Sequence, residues 1–374
     1  MKDASWSIVT TMHGIPETLL PCIAHHLQSD AQAIHVYLDA PNPVVEAALA
    51  PHPRVIVTLC DAAYWQSHQM PRPAGVVRRQ ITNLHHARSH STSDWMVHID
   101  ADEFLVPARP HAAKSDTALS LGRELAMVPD DIDWVRIRNM ERLLPPAAPR
   151  TEAEAGAETI FDGIFREQSP DTALIRQAYG QAAQYLLNGF AGYIRGKIGL
   201  RRDSLLVPRL HDVLTPELAR QRGRQKGAFA PKLSELPPFR VIENTRILHF
   251  DGWTALHWTC KLLRFVEMQN FNGHHQGRRN SVRFMADHPD PAERLALFDA
   301  VQRLSDTGLA VLSRHGLLRL TPFSAEALTR ATFPDVALNF TSASFDARLR
   351  AADPNFFARH GGLMPEGAES YAKG

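Results

Sequence analysis

The sequence predicts an α/β protein in which a mostly parallel, Rossmann-like sheet is flanked by helices and followed by a mainly helical C-terminal region. Two observations predict this class. Short β-branched runs alternate with helical patterns over the first hundred residues, and Asp39 and Asp100 each stand at the end of such a run. Parallel strands need a crossover connection, so this alternation is typical of parallel sheets. Such sheets bind ligands at the carboxyl ends of their strands, which makes both aspartates candidate binding residues.

The first hundred residues carry the clearest secondary-structure pattern. β-branched and aromatic runs bounded by turn residues predict strands, and apolar residues spaced by three and four predict helices. The predicted strands are residues 6–12, 33–39, 54–60 and 95–100, and the predicted helices are residues 16–28 and 76–90. The resulting order is strand, helix, strand, strand, helix, strand.

The rest of the chain continues this plan more loosely. Strands are expected at 133–140, within 191–213 and at 240–252, and helices dominate after residue 255. Two segments lack an apolar face and are expected to be mobile loops, the Pro/Ala/Glu-rich residues 143–158 and the basic residues 219–232. We therefore expect one large domain over 1–270, a helical region over 271–360 and a flexible tail over 361–374.

Bulk properties narrow the class of protein. The chain has 41 basic and 40 acidic residues, and its net charge of +1 argues against a nucleic-acid binder. Its three cysteines lie far apart without a CxxC pair, so neither a disulfide framework nor a cysteine zinc site is expected. No apolar stretch reaches the roughly 20 residues of a membrane helix, and no signal peptide is evident. We expect a cytoplasmic protein.

The segment DWMVHIDADEFLVP, residues 94–107, is the strongest functional motif. An apolar strand ends in Asp100, Asp102 and Glu103, and neighbouring carboxylates repel each other unless a cation neutralises them. Oxygen ligands favour a hard ion, Mn²⁺ or Mg²⁺, and Mg²⁺ is commonly shared with substrate phosphates. The alternative is a structural turn. A calcium loop is excluded because Phe104 and Leu105 occupy later ligand positions.

The motif WMVHIDADEFL resembles the W-x-x-x-x-D-x-D-E-F motif of family 2-like glycosyltransferases with the GT-A fold, in the branch related to the DUF23/family 92 enzymes. GKIGLRRDSLLVPRLHDV and ILHFDGWTALHWTCKLLRF are similar to later motifs of that family. The resemblance covers roughly residues 6–265. It implies a metal-assisted, inverting enzyme that moves a sugar from a nucleotide-diphosphate donor to an acceptor hydroxyl, in surface polysaccharide or glycolipid biosynthesis.

The resemblance and the residue chemistry together suggest roles for several side chains. Metal ligation is expected from Asp100 and Asp102, with His249 as a third ligand and His211 as its weaker rival. An inverting enzyme needs a carboxylate that deprotonates the acceptor, for which the candidates are Asp251, Glu103 and Asp212. The donor is expected to contact Thr10, Thr11, Asp39, Arg78, Arg79, Asn83 and Lys197, with Lys261 as a further phosphate contact. Only one of the adjacent arginines can face a given ligand.

Two other functions stay open at this point. The opening TMHGIPE lacks the Asn-Glu pair of many relatives, which favours a catalytically inactive nucleotide-binding or scaffold protein of the same fold. A metal-dependent phosphohydrolase or nucleotidyltransferase is the other alternative, although no Gly-rich phosphate loop is present. The partners expected are a nucleotide-sugar donor and a saccharide or glycolipid acceptor. The basic run at 220–227 makes peripheral contact with a lipid surface a further possibility.

Overall fold

The computed structural model describes residues 2–108, 120–146, 157–222, 233–269 and 273–363. The chain forms two compact units. Unit 1 comprises residues 1–139, 195–247 and 327–337, and unit 2 comprises residues 140–194, 248–326 and 338–374. The predicted domain bounds at residues 270 and 360 stay predictions, and residues 364–374 of the predicted tail lie outside the described residues.

Unit 1 is built on a mixed sheet whose first four strands are parallel. These strands are β1 (Trp6–Met12), β2 (Ala33–Leu38), β3 (Val55–Leu59) and β4 (Trp95–His98). Their order across the sheet is β3-β2-β1-β4, with Thr10 opposite Val36 and Val9 opposite His98. The carboxyl ends of all four strands therefore lie at one edge.

Antiparallel strands extend this sheet beyond β4. The later strands are β5 (Glu103–Pro107), β6 (Trp134–Leu143), β8 (Lys197–Arg201) and β11 (Arg240–His249). Strand β8 pairs with β4 on one side and with β6 on the other. The short strands β9 (Val207–Pro208) and β10 (Val213–Leu214) form a separate ribbon.

Helices cover the sheet of unit 1 and bury its apolar side chains. They are α1 (Pro16–His26), α2 (Pro43–Leu49), α3 (Ala62–Ser67), α4 (Val76–His90), α5 (Leu121–Ala126) and α7 (Pro216–Arg222). Asn42 and Asp61 cap α2 and α3 by accepting backbone N–H bonds. One buried cluster joins Val9 and Met96 of the strands to Leu84 of α4 and Trp65 of α3.

Unit 2 contains further antiparallel strands and most of the later helices. The end of β6 pairs with β7 (Ile164–Arg166), which pairs with β12 (Leu318–Arg319). The helices are α6 (Thr172–Tyr179), α8 (Ala255–Met268), α9 (Gln276–Asp287), α10 (Pro291–Gln302), α11 (Asp306–Arg314), α13 (Ser342–Ala352) and α14 (Pro354–Arg359), while α12 (Glu326–Thr332) falls mainly in unit 1. Aromatic rings form the core, with Phe250 stacked on Trp253 at 4.5 Å between ring centroids.

The predicted α/β fold class is confirmed, because a sheet whose first four strands are parallel is flanked by helices and followed by C-terminal helices. Predicted and observed bounds agree closely for 6–12 and 76–90. Of the predicted loops, 147–156 and 223–232 lie outside the described residues, and residues 219–222 belong to α7. Among the described residues, no helix is long and apolar enough to cross a membrane.

Candidate functional site

The carboxyl edge of the parallel strands of unit 1 gathers the predicted polar residues. Asp39 follows β2, Cys60 follows β3, and Asp100 stands two residues beyond β4. Because the four strands are parallel and in register, their ends are neighbours even though the sequence separates them. We refer to this edge as the strand-end site.

Asp39 is buried and forms ion pairs with two arginines. Its Oδ2 atom accepts a hydrogen bond from Arg72 at 2.9 Å and contacts the Nη2 atom of Arg79 at 2.8 Å. Its other oxygen, Oδ1, is buried and has no hydrogen-bond partner among the described residues. A buried carboxylate oxygen without a donor costs free energy, so this atom is suited to accept a bond from a ligand.

The two arginines on Asp39 differ in exposure. Arg79 is buried and also donates to the carbonyls of Pro73 at 2.9 Å and Ala74 at 2.8 Å. The Arg72 side chain is 46% exposed. Of the adjacent pair predicted to face the donor, Arg79 is therefore committed to the protein, while Arg78 is exposed.

A pocket of about 640 Å³ adjoins Arg72. Its lining comprises Cys60, Asp61, Ala62, Trp65, Gln66, Gln69, Met70, Pro71 and Arg72. The lining combines an aromatic ring, a thiol, a thioether and two amides with one carboxylate and one guanidinium. A pocket of this size, mostly apolar with a few polar groups, is typical of a small-molecule site.

A second polar network supports the end of β1. Asn83 of α4 is fully buried and donates to the hydroxyl of Thr11 at 2.8 Å, while its carbonyl accepts from Tyr64 at 2.7 Å. The hydroxyl of Thr10 is buried without a partner among the described residues. In this structure Asn83 positions Thr11 rather than facing an open cleft.

Asp100, Asp102, Glu103 and Lys197 form a second group, which we call the carboxylate cluster. The Asp100 side chain is 28% exposed, whereas those of Glu103 and Lys197 are fully buried. Lys197 donates to Oδ2 of Asp100 and lies 3.6 Å from Oε2 of Glu103, and Gln80 donates to Oδ1 of Asp100 at 2.6 Å. Asp102 is half-buried in the turn between β4 and β5.

The charges of this cluster stabilise one another. Burial alone would raise the pKa of Asp100, but the Lys197 ammonium beside it lowers that pKa well below its usual range. Burial would likewise lower the pKa of Lys197, yet the Asp100 and Glu103 carboxylates raise it. The neighbouring His98 is buried and His211 is half-buried, and desolvation followed by the charge of Lys197 lowers the pKa of each to about 3. Both imidazoles are therefore neutral at pH 7.

Gly196 explains how Lys197 reaches the cluster. Its φ of +68° is rare for other residues, and an added Cβ would lie 2.2 Å from the carbonyl oxygen of Ile137. This close approach brings β8 onto β6, with Lys197 opposite Ile137. His211 donates to the Gly196 carbonyl at 2.8 Å, so the GK pair and the later histidine form one local structure.

The carboxylate cluster is chemically suited to a divalent cation shared with a ligand. A carboxylate offers about four lone-pair sites, and the protein donors seen at Asp100 use two of them. Within the described parts of the chain, no group of three or more His, Cys, Asp or Glu side chains could hold a metal ion. Mg²⁺ is usually held by one or two carboxylates together with substrate phosphates and water, and metal binding by Asp100 and Asp102 stays a prediction.

Asp251 lies in unit 2 within a dense set of donors. Its carboxylate pairs with Arg278, lies 3.3 Å from the ammonium of Lys261, and accepts from Trp258 at 2.9 Å and Gln302 at 3.4 Å. Burial would raise its pKa, but Arg278 and the other cations hold that pKa well below its usual range. The carboxylate therefore stays ionised and is a weak base in this arrangement.

Glu141 organises a second buried group in unit 2. It pairs with Arg166 at 2.5 Å and accepts the backbone N–H bonds of Ala191 at 2.7 Å and Gly192 at 2.6 Å. The Nδ1 atom of His249 lies 3.9 Å from Oε2 of Glu141. His249 is thus placed beside a carboxylate, and its role as a metal ligand stays a prediction.

Sequence reasoning missed the partners of several predicted residues. Arg72 lies in the turn-rich segment MPRPAG, which has no periodicity that would mark it, and Arg278 is one of many arginines on an amphipathic helix. Glu141 lies in a strand whose sequence shows only the ordinary alternation of polar and apolar residues. Each residue reaches its site through contacts between distant parts of the chain, which no local pattern encodes.

Comparison with known proteins gives similarities at low identity. No protein-family model matches the sequence, and no curated protein matches it. A solved structure of a mycobacterial protein is 15% identical, covering 64% of this chain and 67% of its own, with a TM-score of 0.30. The mannosyltransferase PcManGT from Pyrobaculum calidifontis, solved with GDP-Man and Mn²⁺, is 13% identical with coverages of 95% and 88% and a TM-score of 0.32. Glucosyl-3-phosphoglycerate synthase from Mycobacterium tuberculosis, solved with phosphoglyceric acid, is 13% identical with coverages of 65% and 72% and a TM-score of 0.28.

Proposed function

We propose that the chain is a glycosyltransferase that takes a sugar from a nucleotide-diphosphate donor. One observation carries the proposal: a buried oxygen of Asp39 that has no donor among the described residues, a pocket beside Arg72 and the carboxylate cluster all belong to the carboxyl edge of the parallel strands in one mixed sheet. A nucleoside needs the first two features, and a diphosphate needs a charged group near them.

Asp39 would hold the nucleoside. Its Oδ1 atom lacks a donor among the described residues, and a ribose or base supplies hydroxyl or N–H donors. Arg72 and Arg79 hold this carboxylate in place, which reduces the entropy lost on binding. Thr10 and Thr11, at the end of β1, would flank the base.

Asp100 and Asp102 would hold Mn²⁺ or Mg²⁺ together with the diphosphate. Such an ion supplies positive charge where the leaving nucleoside diphosphate gains negative charge. The protein prepares this site by orienting Asp100 through Gln80 and Lys197 before any ligand binds. Arg78, exposed at the start of α4, is the proposed phosphate contact.

Transfer of the sugar needs a base that removes the proton of the acceptor hydroxyl. Asp251 and Glu103 are the proposed bases, and each would have to give up a cationic partner, Arg278 or Lys197, before it accepts a proton. The proposed acceptor is the hydroxyl of a saccharide or glycolipid, and an inverting outcome would need one such base on the acceptor side.

Binding and turnover can be tested separately. Isothermal titration of UDP and GDP with and without Mn²⁺ measures binding, and release of nucleotide from UDP- and GDP-sugars measures turnover. We expect binding of at least one nucleoside diphosphate, weakened at least tenfold in Asp39→Ala, because Oδ1 is lost. Absence of any nucleotide binding would overturn the proposal. Binding without release of nucleotide, across a panel of donors and saccharide acceptors, would instead favour the inactive alternative.

A further inference from the structure

Lys197 is unusual because it is a fully buried lysine that no solvent reaches. Its side chain is 0% exposed, and its ammonium group contacts Asp100 and lies 3.6 Å from Glu103. Burying an ammonium ion is costly unless it is paired, so these two carboxylates are what keeps it charged inside the protein. Asp100, by contrast, still presents part of its side chain to solvent.

This arrangement places Lys197 on the buried side of the carboxylate cluster. A ligand approaching from solvent meets Asp100 and the half-buried Asp102 first. The positive φ of Gly196 and the register of β8 against β6 fix the lysine in that position. A contact between Lys197 and a donor phosphate would require the ammonium to leave both carboxylates and become exposed.

We propose that Lys197 is a positioning residue that acts as the resident cation of the carboxylate cluster, holding Asp100 and Glu103 in place and opposing the divalent ion that binds there. The inference rests on the proposed function for the identity of that ion. Three carboxyl groups and one ammonium leave a formal charge of −2, which a divalent ion balances. Without the lysine the formal charge would be −3.

Two measurable consequences follow. Removing the ammonium leaves Asp100 and Glu103 close together without their cation, so the metal-free protein loses stability. The same change strengthens metal binding, because even in a high-dielectric environment a unit charge a few ångström from a divalent ion alters its affinity by about tenfold. A lysine with a merely structural role would produce the first effect without the second.

The experiment compares wild type, Lys197→Met and Lys197→Arg by thermal denaturation in EDTA and in Mn²⁺, with Mn²⁺ affinity measured by electron paramagnetic resonance. We expect Lys197→Met to melt several degrees lower in EDTA, to gain more from Mn²⁺ than wild type, and to bind Mn²⁺ about tenfold more tightly. Lys197→Arg keeps the charge and should therefore keep the Mn²⁺ affinity of wild type, although the larger side chain lowers stability. Arg264→Met, which removes a cation paired with Asp353 at 3.2 Å, controls for net charge and should leave Mn²⁺ binding unchanged.

The possible outcomes separate the inference from the proposed function. Equal Mn²⁺ affinity in wild type and Lys197→Met, or no response to Mn²⁺ in either, overturns the role of Lys197, whatever nucleotide binding shows. A larger response in Lys197→Met supports that role even if no nucleotide sugar is turned over. If Lys197→Met does not fold, the double variant Lys197→Met/Glu103→Gln removes both buried charges together, and it should bind Mn²⁺ like wild type because the formal charge stays at −2.

Discussion

Arg72 and Arg79 bind the same oxygen of Asp39, yet the structure predicts opposite consequences when each is replaced by methionine. Arg79 is buried, with contacts at 2.8 Å to Asp39, 2.9 Å to the Pro73 carbonyl and 2.8 Å to the Ala74 carbonyl. Arg72 is 46% exposed and has its ion pair with Asp39 at 2.9 Å. One arginine therefore supports the fold, and the other is available to a ligand.

The expected magnitudes follow from burial and partner count. Loss of Arg79 leaves buried carbonyl and carboxylate acceptors short of a donor, which costs about 2–4 kcal/mol. For a domain of 150–250 residues that corresponds to a fall in Tm of roughly 4–16 °C. Loss of Arg72 removes an exposed ion pair that contributes about 0–1 kcal/mol to stability. At the pocket, however, the Arg72→Met substitution would remove a charge-assisted contact between the guanidinium and the bound nucleoside diphosphate. Such a contact contributes about 1.5 kcal/mol, so its loss would raise Kd roughly tenfold.

Thermal denaturation and isothermal titration of the two variants test this directly. We expect Arg79→Met to lower Tm clearly and Arg72→Met to leave Tm within a few degrees of wild type while weakening nucleotide binding. Arg54→Met is the control. Arg54 also donates to backbone carbonyls, but it precedes β3 and so lies away from the carboxyl end of that strand. Its loss should therefore leave nucleotide binding unchanged. If Arg72→Met binds nucleotide as tightly as wild type, the pocket beside Arg72 is not the nucleoside site.

Three further perturbations have defined outcomes. Asp100→Asn and Asp102→Asn should each lower sugar transfer by at least about a hundredfold while the protein stays folded, measured as nucleotide release from the donor. Gly192→Ala should lower stability by about 1–3 kcal/mol in thermal melts, because the new Cβ would lie 2.7 Å from an oxygen of Glu141. Burial, followed by neighbouring cations, lowers the pKa of His257 from 6.5 to about 3, so the unfolded state takes up a proton first as the pH falls. Stability should therefore be full above about pH 6.5 and fall by about 1.4 kcal/mol per pH unit below it for this residue, a slope that His257→Gln should remove.

Each of these expectations has a matched control. Asp94→Asn alters an aspartate at the amino end of β4 and should leave transfer intact, so equal loss in both variants would argue against a role specific to the carboxyl edge. Gly75→Ala adds a Cβ where nothing lies within 4 Å and should be nearly neutral. An unchanged acid slope in His257→Gln would show that other groups dominate the pH dependence.

The local sequence pattern was sufficient to predict the architecture of the parallel half of the sheet. The runs that became β1 to β4 are rich in β-branched residues and end in turn residues, so their bounds were predictable to within one or two positions. A parallel arrangement then places every strand end at one edge, and this is why Asp39 and Asp100 could be nominated together. No side-chain contact was needed for that inference.

The partners of those aspartates were decided only by tertiary structure. Lys197 joins Asp100 across 97 positions of sequence, and Arg72 joins Asp39 across 33. Such pairs depend on strand register, on a close backbone approach at Gly196 and on which side chains are buried. The alternation of polar and apolar residues in a strand indicates which face of the sheet each residue occupies. A long-range ion pair depends instead on which distant segment of the chain packs beside that face. Only the folded structure specifies this segment.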